Sequence, residues 1–197
     1  MENNGTDKER KRNFLTQTNE ETLYLAKATK QDIADLYYWS FIEERQEAKE
    51  WNAPYIQEKK MSLDEYEVLW QKELAPGIPD GLVLRMDDRV IGYVGSYWLD
   101  RHSGWLETGI VIFDSQYWDG GYGSFAYEKW IDYIFEQTSI HRLGMSTWSG
   151  NTRMIRVAEK TGMVEEARVR QARLVDGEYY DAVKMGMLRS EWEALKE

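Results

Sequence analysis

Residues 109–126 hold the densest chemistry of the chain. An apolar stretch, Gly109-Ile110-Val111-Ile112-Phe113, is followed by a short polar loop, then by Trp118-Asp119-Gly120-Gly121-Tyr122-Gly123-Ser124 and a helix-patterned run. Three glycines ahead of a helix leave bare backbone N–H groups free to point at an anion. The helix macrodipole adds about half a positive charge at the same place. A pyrophosphate suits such a loop. Gly121-Tyr122-Gly123-Ser124-Phe125-Ala126 also fits the dinucleotide fingerprint in its Gly/Gly/Ala form. That fingerprint wants its first glycine in the turn directly after a strand, and an acid about 20 residues on. Here seven residues, 114–120, separate Phe113 from Gly121, and the next strand pattern runs into Trp148 and Ser149 rather than an acid. A dinucleotide-binding oxidoreductase therefore fits poorly.

The elements that would position this loop follow from periodicity and punctuation. Residues 1–21 are polar, with Lys8-Glu9-Arg10-Lys11-Arg12 and almost no apolar pattern, and read as a mobile extension ahead of a single domain over 22–197. Residues 23–28 read as a strand. Thr29, with Asp32 three positions later, caps a helix expected over 30–47, and Ser62 with Glu65 caps a second over 62–74. Residues 51–55 and 76–81 read as loops. Strands are expected over 82–86 and 89–97 around Asp87-Asp88, then over 105–113 and 142–147. Helices are expected over 122–137 and 151–161, the second stopping at Gly162. A final hairpin, 167–175 with 179–188, turns at Asp176-Gly177. The order β-α-α-β-β-β-α-β-α-β-β predicts an α/β fold, a mixed sheet with helices on both faces.

Composition narrows the chemistry. The 197 residues allow one ordinary core, and no apolar run approaches the length of a membrane helix. Without a secretory leader pattern the chain reads as cytoplasmic. Zero cysteines exclude a disulfide framework, a thiol nucleophile and a thiolate metal site, and with only His102 and His141 a histidine-rich metal site is excluded as well. His141, opening the strand at 142–147, reads as structural. The net charge of −10 argues against broad nucleic-acid binding and leans toward a cationic acceptor, although acidic surfaces also serve solubility. Nine Trp and 13 Tyr suggest aromatic-lined grooves as well as core.

The element order and three stretches together resemble the GNAT acetyltransferases, in particular the branch of ribosomal-protein and spermidine N-acetyltransferases. Tyr117-Trp118-Asp119-Gly120-Gly121-Tyr122-Gly123 is similar to the family's Tyr-Trp-Gly-Lys-Gly-Tyr-Gly acetyl-CoA loop. Asn151 through Val157-Ala158-Glu159-Lys160-Thr161-Gly162-Met163 is similar to its Asn…Glu-Lys-x-Gly-Phe helix, and Gly177-Glu178-Tyr179-Tyr180-Asp181 to its Asn/Asp-Gly-x-Tyr-x-Asp turn. The match covers residues 23–192. It implies a mostly antiparallel twisted sheet whose fourth and fifth strands splay apart, and acetyl-CoA as cosubstrate with no metal. The amides of Asp119, Gly120, Gly121, Tyr122, Gly123 and Ser124 would hold the pyrophosphate. The pantetheine arm would pair with the backbone of Val111, Ile112 and Phe113, helped by Asn151. Arg153, Arg156 and Lys160 would meet the outer phosphate or simply be solvated.

Acetyl transfer to an amine requires a deprotonated amine, a polarised carbonyl and a protonated thiolate. In the family a backbone N–H of the fourth strand, released by a bulge, polarises the carbonyl. Glu107, in Leu106-Glu107-Thr108-Gly109, is the candidate base, or else a charge satisfied at the strand's end. Two family positions differ: Ala158 stands where many members have a tyrosine acid, and Ser146 where some place the base. Tyr117, Tyr122, Ser149 or water would stand in as the acid. Trp51, Asn52, Tyr55 and Trp148 are candidates to line the acceptor pocket, or to pack the loop that carries them. The tandem Tyr179-Tyr180 packs the hairpin or meets a partner in a homodimer. The resulting expectation is an N-acetyltransferase acting on a protein N-terminus, a polyamine or another small amine. Its alternative is a non-catalytic acyl-CoA-binding module on the same fold.

Overall fold

The computed structural model describes residues 14–18, 21–57 and 59–197. Its strands are β1 (Phe14–Thr18), β2 (Glu21–Ala26), β3 (Glu73–Ala75), β4 (Ile78–Pro79), β5 (Gly81–Met86), β6 (Arg89–Asp100), β7 (Trp105–Ile112), β8 (Arg142–Trp148), β9 (Val164–Val175) and β10 (Glu178–Leu188). The helices are α1 (Lys30–Tyr37), α2 (Glu47–Trp51), α3 (Leu63–Leu69), α4 (Tyr122–Gln137), α5 (Thr152–Lys160) and α6 (Arg189–Ala194). Eight strands form one mixed sheet in the order β1-β2-β5-β6-β7-β8-β10-β9, and β3 and β4 form a separate small hairpin.

Alternating side chains give the sheet two apolar faces, and helices cover both. Leu82, Leu84 and Met86 of β5 join Leu106, Leu143 and Met185 in the larger core, against Tyr127, Trp130, Ile131 and Ile134 of α4. Val83 and Val90 point the other way, into a smaller core with Ile33 and Leu36 of α1, Ala48 of α2 and Tyr66 of α3. Fully buried Asp32 is held in this second layer by ion pairing with Arg85 and by the Thr29 backbone N–H at 2.7 Å.

Sheet pairing is antiparallel except where β7 meets β8. The crossover through α4 makes these two parallel. They pair only from Trp105↔Arg142 to Glu107↔Gly144. Beyond Glu107 the backbones of 108–112 and 145–148 face each other across an open wedge, the splay that the resemblance implies.

Both capping boxes form as expected, at Thr29/Asp32 and Ser62/Glu65. Helix α4 has the expected bounds, and Asp176 and Gly177 turn the last hairpin with φ of 49° and 83°. Several bounds differ. The helix expected over 30–47 leaves α geometry after Tyr37, widens into one π-helical turn at Tyr38–Ile42, and breaks at extended Glu43 before α2 begins. The crowded aromatic run drives this: Tyr37 and Phe41 lie 5.0 Å apart and both rings pack on Tyr66. The second helix stops at Leu69, because residues 73–79 form the β3–β4 hairpin around Gly77 with φ of 79°. Most of the segment read as an extension lies outside the described residues, but Phe14–Thr18 within it pairs antiparallel with β2. Helix α6 was unanticipated; its Trp192 stacks on Phe135 at 5.1 Å and donates to Asp132 at 2.9 Å.

Candidate active site

The β7/β8 wedge opens into a cavity of about 710 Å³ that runs along β7 to the glycine loop. Its lining includes Gly109, Ile110, Val111 and Ile112 on one wall and Met145, Ser146 and Thr147 on the other. A Cβ added at Gly109 or Gly121 would meet nothing within 4 Å, so the backbone lies bare to the cavity at both points. Alternate β7 amides past Glu107 have no strand partner, because β8 has turned away. The register of β7 on β6 is unbroken from Gly92↔Ile112 to Trp98↔Leu106. Splay therefore frees these groups, where the family pattern had led us to expect a bulge.

At the loop end, Gly121 caps α4 with φ of 82°, a conformation that glycine adopts without strain. The first N–H groups of α4 have no partner within the helix and point outward. Asp119, Gly121, Gly123 and Ser124 line the cavity, whereas Gly120 and Tyr122 do not; Tyr122 packs its ring near Tyr117 at 6.3 Å. Arg156 and Lys160 line the same end. Arg153 lies over the rings of Trp118 and Trp51, 4.6 and 5.1 Å from their centres, and pairs with Asp119 at 3.2 Å.

Two of the backbone positions expected to pair with a cosubstrate arm are engaged. The Phe113 N–H donates to Ile91 at 3.0 Å, and its side chain turns to the smaller core and stacks on Trp39. The Ile112 carbonyl accepts from Trp118 Nε1 at 3.0 Å. Val111 shares the backbone side of Phe113 and turns its carbonyl toward Gly92 on β6, so the edge facing the wedge is that of Ile110, beside the bare Gly109. Asn151 lines the cavity; its Oδ1 accepts from Met154 N–H at 3.0 Å, capping α5, and its Nδ2 donates to the Trp51 carbonyl at 2.9 Å. Trp148 Nε1 donates to that same carbonyl at 2.9 Å while its ring meets Tyr180 edge-on at 4.8 Å. Trp148 is thereby a buried clamp behind the wall, whereas Trp51 and Tyr55 are on it.

Glu107 lies under the far end of the cavity, 3% exposed. Its Oε2 accepts from Tyr97 at 2.7 Å, and its Oε1 from Ser146 at 2.9 Å and Lys184 at 2.8 Å. Burial alone would raise the Glu107 pKa; the hydrogen bonds from Lys184, Tyr97 and Ser146 outweigh it and hold the carboxyl below its ordinary value. Burial, together with the Glu107 hydrogen bond and charge, pushes the Tyr97 phenol well up. Tyr97 and Ser146 line the cavity, so a molecule inside it meets Glu107 through these two hydroxyls. The row is built by register: Tyr97 is opposite Glu107, Glu107 opposite Gly144, and Lys184 opposite Ser146.

Sequence reasoning had singled out Ser146 but missed Tyr97 and Lys184. Counting back across the β6–β7 hairpin would have given the first; the second needs the sheet order. Of the candidate acids, Tyr117 lines the cavity, while Ser149 Oγ is occupied by the Asp181 N–H at 3.0 Å. Ala158 is fully buried in the larger core, so no hydroxyl acts from that position.

The splayed sheet, the glycine-capped helix and the buried carboxylate at the wedge's closed end border one cavity, the candidate acyl-transfer site. A sequence profile described as an acetyltransferase (GNAT) domain matches residues 22–164. The chain belongs to the GNAT acetyltransferase family and is an acetyl-CoA-dependent acyltransferase. Among curated relatives, it is 30% identical over 129 residues to a putative ribosomal N-acetyltransferase, YdaF, of Bacillus subtilis, covering 64% of this chain and 69% of that one. A prophage-derived uncharacterized N-acetyltransferase, YokL, of the same species is 24% identical over 57% of this chain and 63% of its own length. In fold, the chain is similar to spermidine N-acetyltransferase from Vibrio cholerae, solved with CoA and spermine. The TM-score is 0.69 at 19% identity, over 87% of this chain and 98% of that one. It is likewise similar to a putative acetyltransferase, yncA, of Salmonella typhimurium, solved with acetyl-CoA. There the TM-score is 0.69 at 18% identity, over 85% and 94%. At such identities these likenesses concern the fold. No helix among the described residues is long and apolar enough to cross a membrane.

Proposed function

We propose that residues 22–197 act as one unit that moves the acetyl group of acetyl-CoA directly to a primary amine, with both substrates bound together. The observation that carries this reading is a single cavity joining the glycine-capped start of α4 to a row of hydroxyls over a buried carboxylate. The glycine loop receives the pyrophosphate through the amides of Asp119, Gly121, Gly123 and Ser124, and Arg156 and Lys160, which line the same end, meet the outer phosphate charge. The bare edge at Ile110, beside Gly109, takes the pantetheine arm in the manner of an added strand and offers an N–H to the thioester carbonyl. Acetyl-CoA supplies an activated acyl group on a good leaving thiolate.

Glu107 is the proton acceptor in this scheme. Because its oxygens are already filled by Tyr97, Ser146 and Lys184, the amine's proton reaches it by relay. Ser146 or Tyr97 passes its own hydroxyl hydrogen to Glu107 and takes one from the nitrogen. As the C–N bond forms, the C–S bond breaks, and the departing thiolate takes a proton from Tyr117 or water.

The test is acceptor-dependent thiol release against polyamines, amino acids and N-terminal peptides, with calorimetric titration of acetyl-CoA alongside. Release with at least one amine and saturable acetyl-CoA binding is expected. Absence of binding would overturn the reading of the glycine loop, and binding without release on any amine would overturn acetyl transfer.

A further inference from the structure

The charges that line the cavity do not match a polycationic acceptor. The lining carries Arg153, Arg156, Lys160 and Arg173 against Asp119, its one carboxylate among the described residues. Asp119 lies at the glycine-loop end and is already paired with Arg153. Phosphates account for the cations at that end. Arg173 is left over, and it sits at the other end. Its guanidinium lies 4.7 Å from the Tyr55 ring centre, and Tyr55 is close enough to Tyr97 to contribute to its electrostatic environment. The group Arg173, Tyr55, Tyr97 and Glu107 therefore marks the acceptor's end of the cavity. The Glu107 carboxylate is covered by Tyr97 and Ser146 and balanced by Lys184, so it offers no free anion to an ammonium group.

Arg173 is also under-used by the protein. Its buried Nε has no hydrogen-bond partner, and the hydrogen bond it makes from a terminal nitrogen goes to the carbonyl of adjacent Ala172, at 3.0 Å. A guanidinium has five N–H donors in a planar fork that matches a carboxylate, and leaving a buried donor unmet is costly. Stacking on Tyr55 fixes the plane of that fork without using its donors.

Resting on the acetyltransferase reading, we propose that the acceptor is an amine that itself bears a carboxylate, such as an α-amino acid or an acidic peptide terminus, and that Arg173 receives this carboxylate. Arg173 then sets specificity: it holds the acceptor's anionic group on the hairpin side while the amine faces Tyr97 and Ser146. The acidic exterior does not oppose this, since the lining carries the opposite sign from the −10 of the whole chain.

The experiment compares matched acceptors in the thiol-release assay. One pair is an α-amino acid and its carboxamide, the second a Glu-led and a Gln-led peptide amide; spermidine is the cationic arm. The charged member of at least one pair should be preferred on the order of tenfold in kcat/KM, mainly through KM. Arg173→Gln should erase that ratio and Arg173→Lys should keep part of it, with thermal melting as the check on folding. Pairs within about twofold, a ratio that survives Arg173→Gln, or spermidine as the best acceptor would each overturn the proposal while leaving acetyl transfer standing. No thiol release with any acceptor, despite acetyl-CoA binding, would overturn both.

Discussion

The two ends of the cavity are built from different materials. The glycine-loop end is backbone: a left-handed Gly121, the first amides of α4 and the bare edge of β7. The far end is side chain, with Tyr97, Glu107, Ser146 and Lys184 drawn from β6, β7, β8 and β10, and Arg173 from β9. A backbone cradle recognises phosphate whatever side chains surround it, so it suits a cosubstrate common to many enzymes. A side-chain cluster is remade by single substitutions, so it suits chemistry and acceptor choice. Damage at the two ends should separate accordingly into binding of acetyl-CoA and turnover.

The largest effect is expected at the far end. Glu107→Gln keeps the size of the side chain and removes its charge, and should lower kcat about 100- to 1,000-fold. Acetyl-CoA affinity, set at the other end, should stay within roughly twofold. An unchanged kcat would remove Glu107 from the proton path. Because the folded carboxyl titrates below its ordinary value, Glu107 should set no acid limb in the rate profile between about pH 6 and 9. Lys184→Met leaves the burial and takes away the foremost of the donors that oppose it. The Glu107 pKa should then rise and an acid limb move upward. A depressed carboxyl stabilises the fold above its unfolded pKa and loses that contribution as pH falls through the folded value. The variant should therefore lose most stability at neutral pH, with the gap to wild type closing toward acid. With the Lys184 side chain 47% exposed, the neutral-pH loss should be about 1–2 kcal/mol, read by urea unfolding across pH.

At the other end, Gly121→Val should weaken acetyl-CoA binding on the order of a hundredfold, since a β-branched residue resists a φ of 82° and its methyls enter the cradle. Calorimetry reads the affinity directly. Affinity near that of wild type would mean that the α4 amides are not the phosphate site.

The same division governs what the sequence made legible. The loop, α4, both capping boxes and the Asp176-Gly177 turn are local, and glycine or a short polar side chain writes each of them into consecutive residues. The Tyr97–Glu107–Ser146–Lys184 row joins positions as far as 87 apart in the numbering, and no spacing encodes it until the strand order is known. Glu107 and Ser146 could be singled out one by one, but not their contact, and Tyr97 and Lys184 were missed. The break after Tyr37 was hidden for a related reason: Tyr37 and Phe41 satisfy helical periodicity, but their rings find Tyr66 on another helix and packing overrides the local pattern. Nothing in the sequence singled out Arg173. It lies over the Tyr55 ring from a strand that Gln171, with φ of 53°, and a register shift between Tyr180 and Ala182 make irregular.

Asp119 offers the smallest effect and the finest comparison, because it is the one side-chain anion placed in a cradle otherwise made of backbone. The loop elsewhere invites negative charge, yet here a carboxylate stands at φ of 61° and holds Arg153 at 3.2 Å. Asn tolerates the same backbone conformation, so Asp119→Asn removes the charge and the ion pair without loosening the chain. It should tighten acetyl-CoA binding about threefold at low salt, because repulsion is relieved and Arg153 is freed toward the phosphates. The gain should fade as salt rises, since the Asp119 side chain is 82% exposed and its field is readily screened. Asp119→Gly should gain less, as added chain freedom offsets part of the benefit. Weaker binding in Asp119→Asn at every salt concentration would reverse the assignment: the Asp119–Arg153 pair, braced between Trp51 and Trp118, would then be what holds the loop open for its ligand.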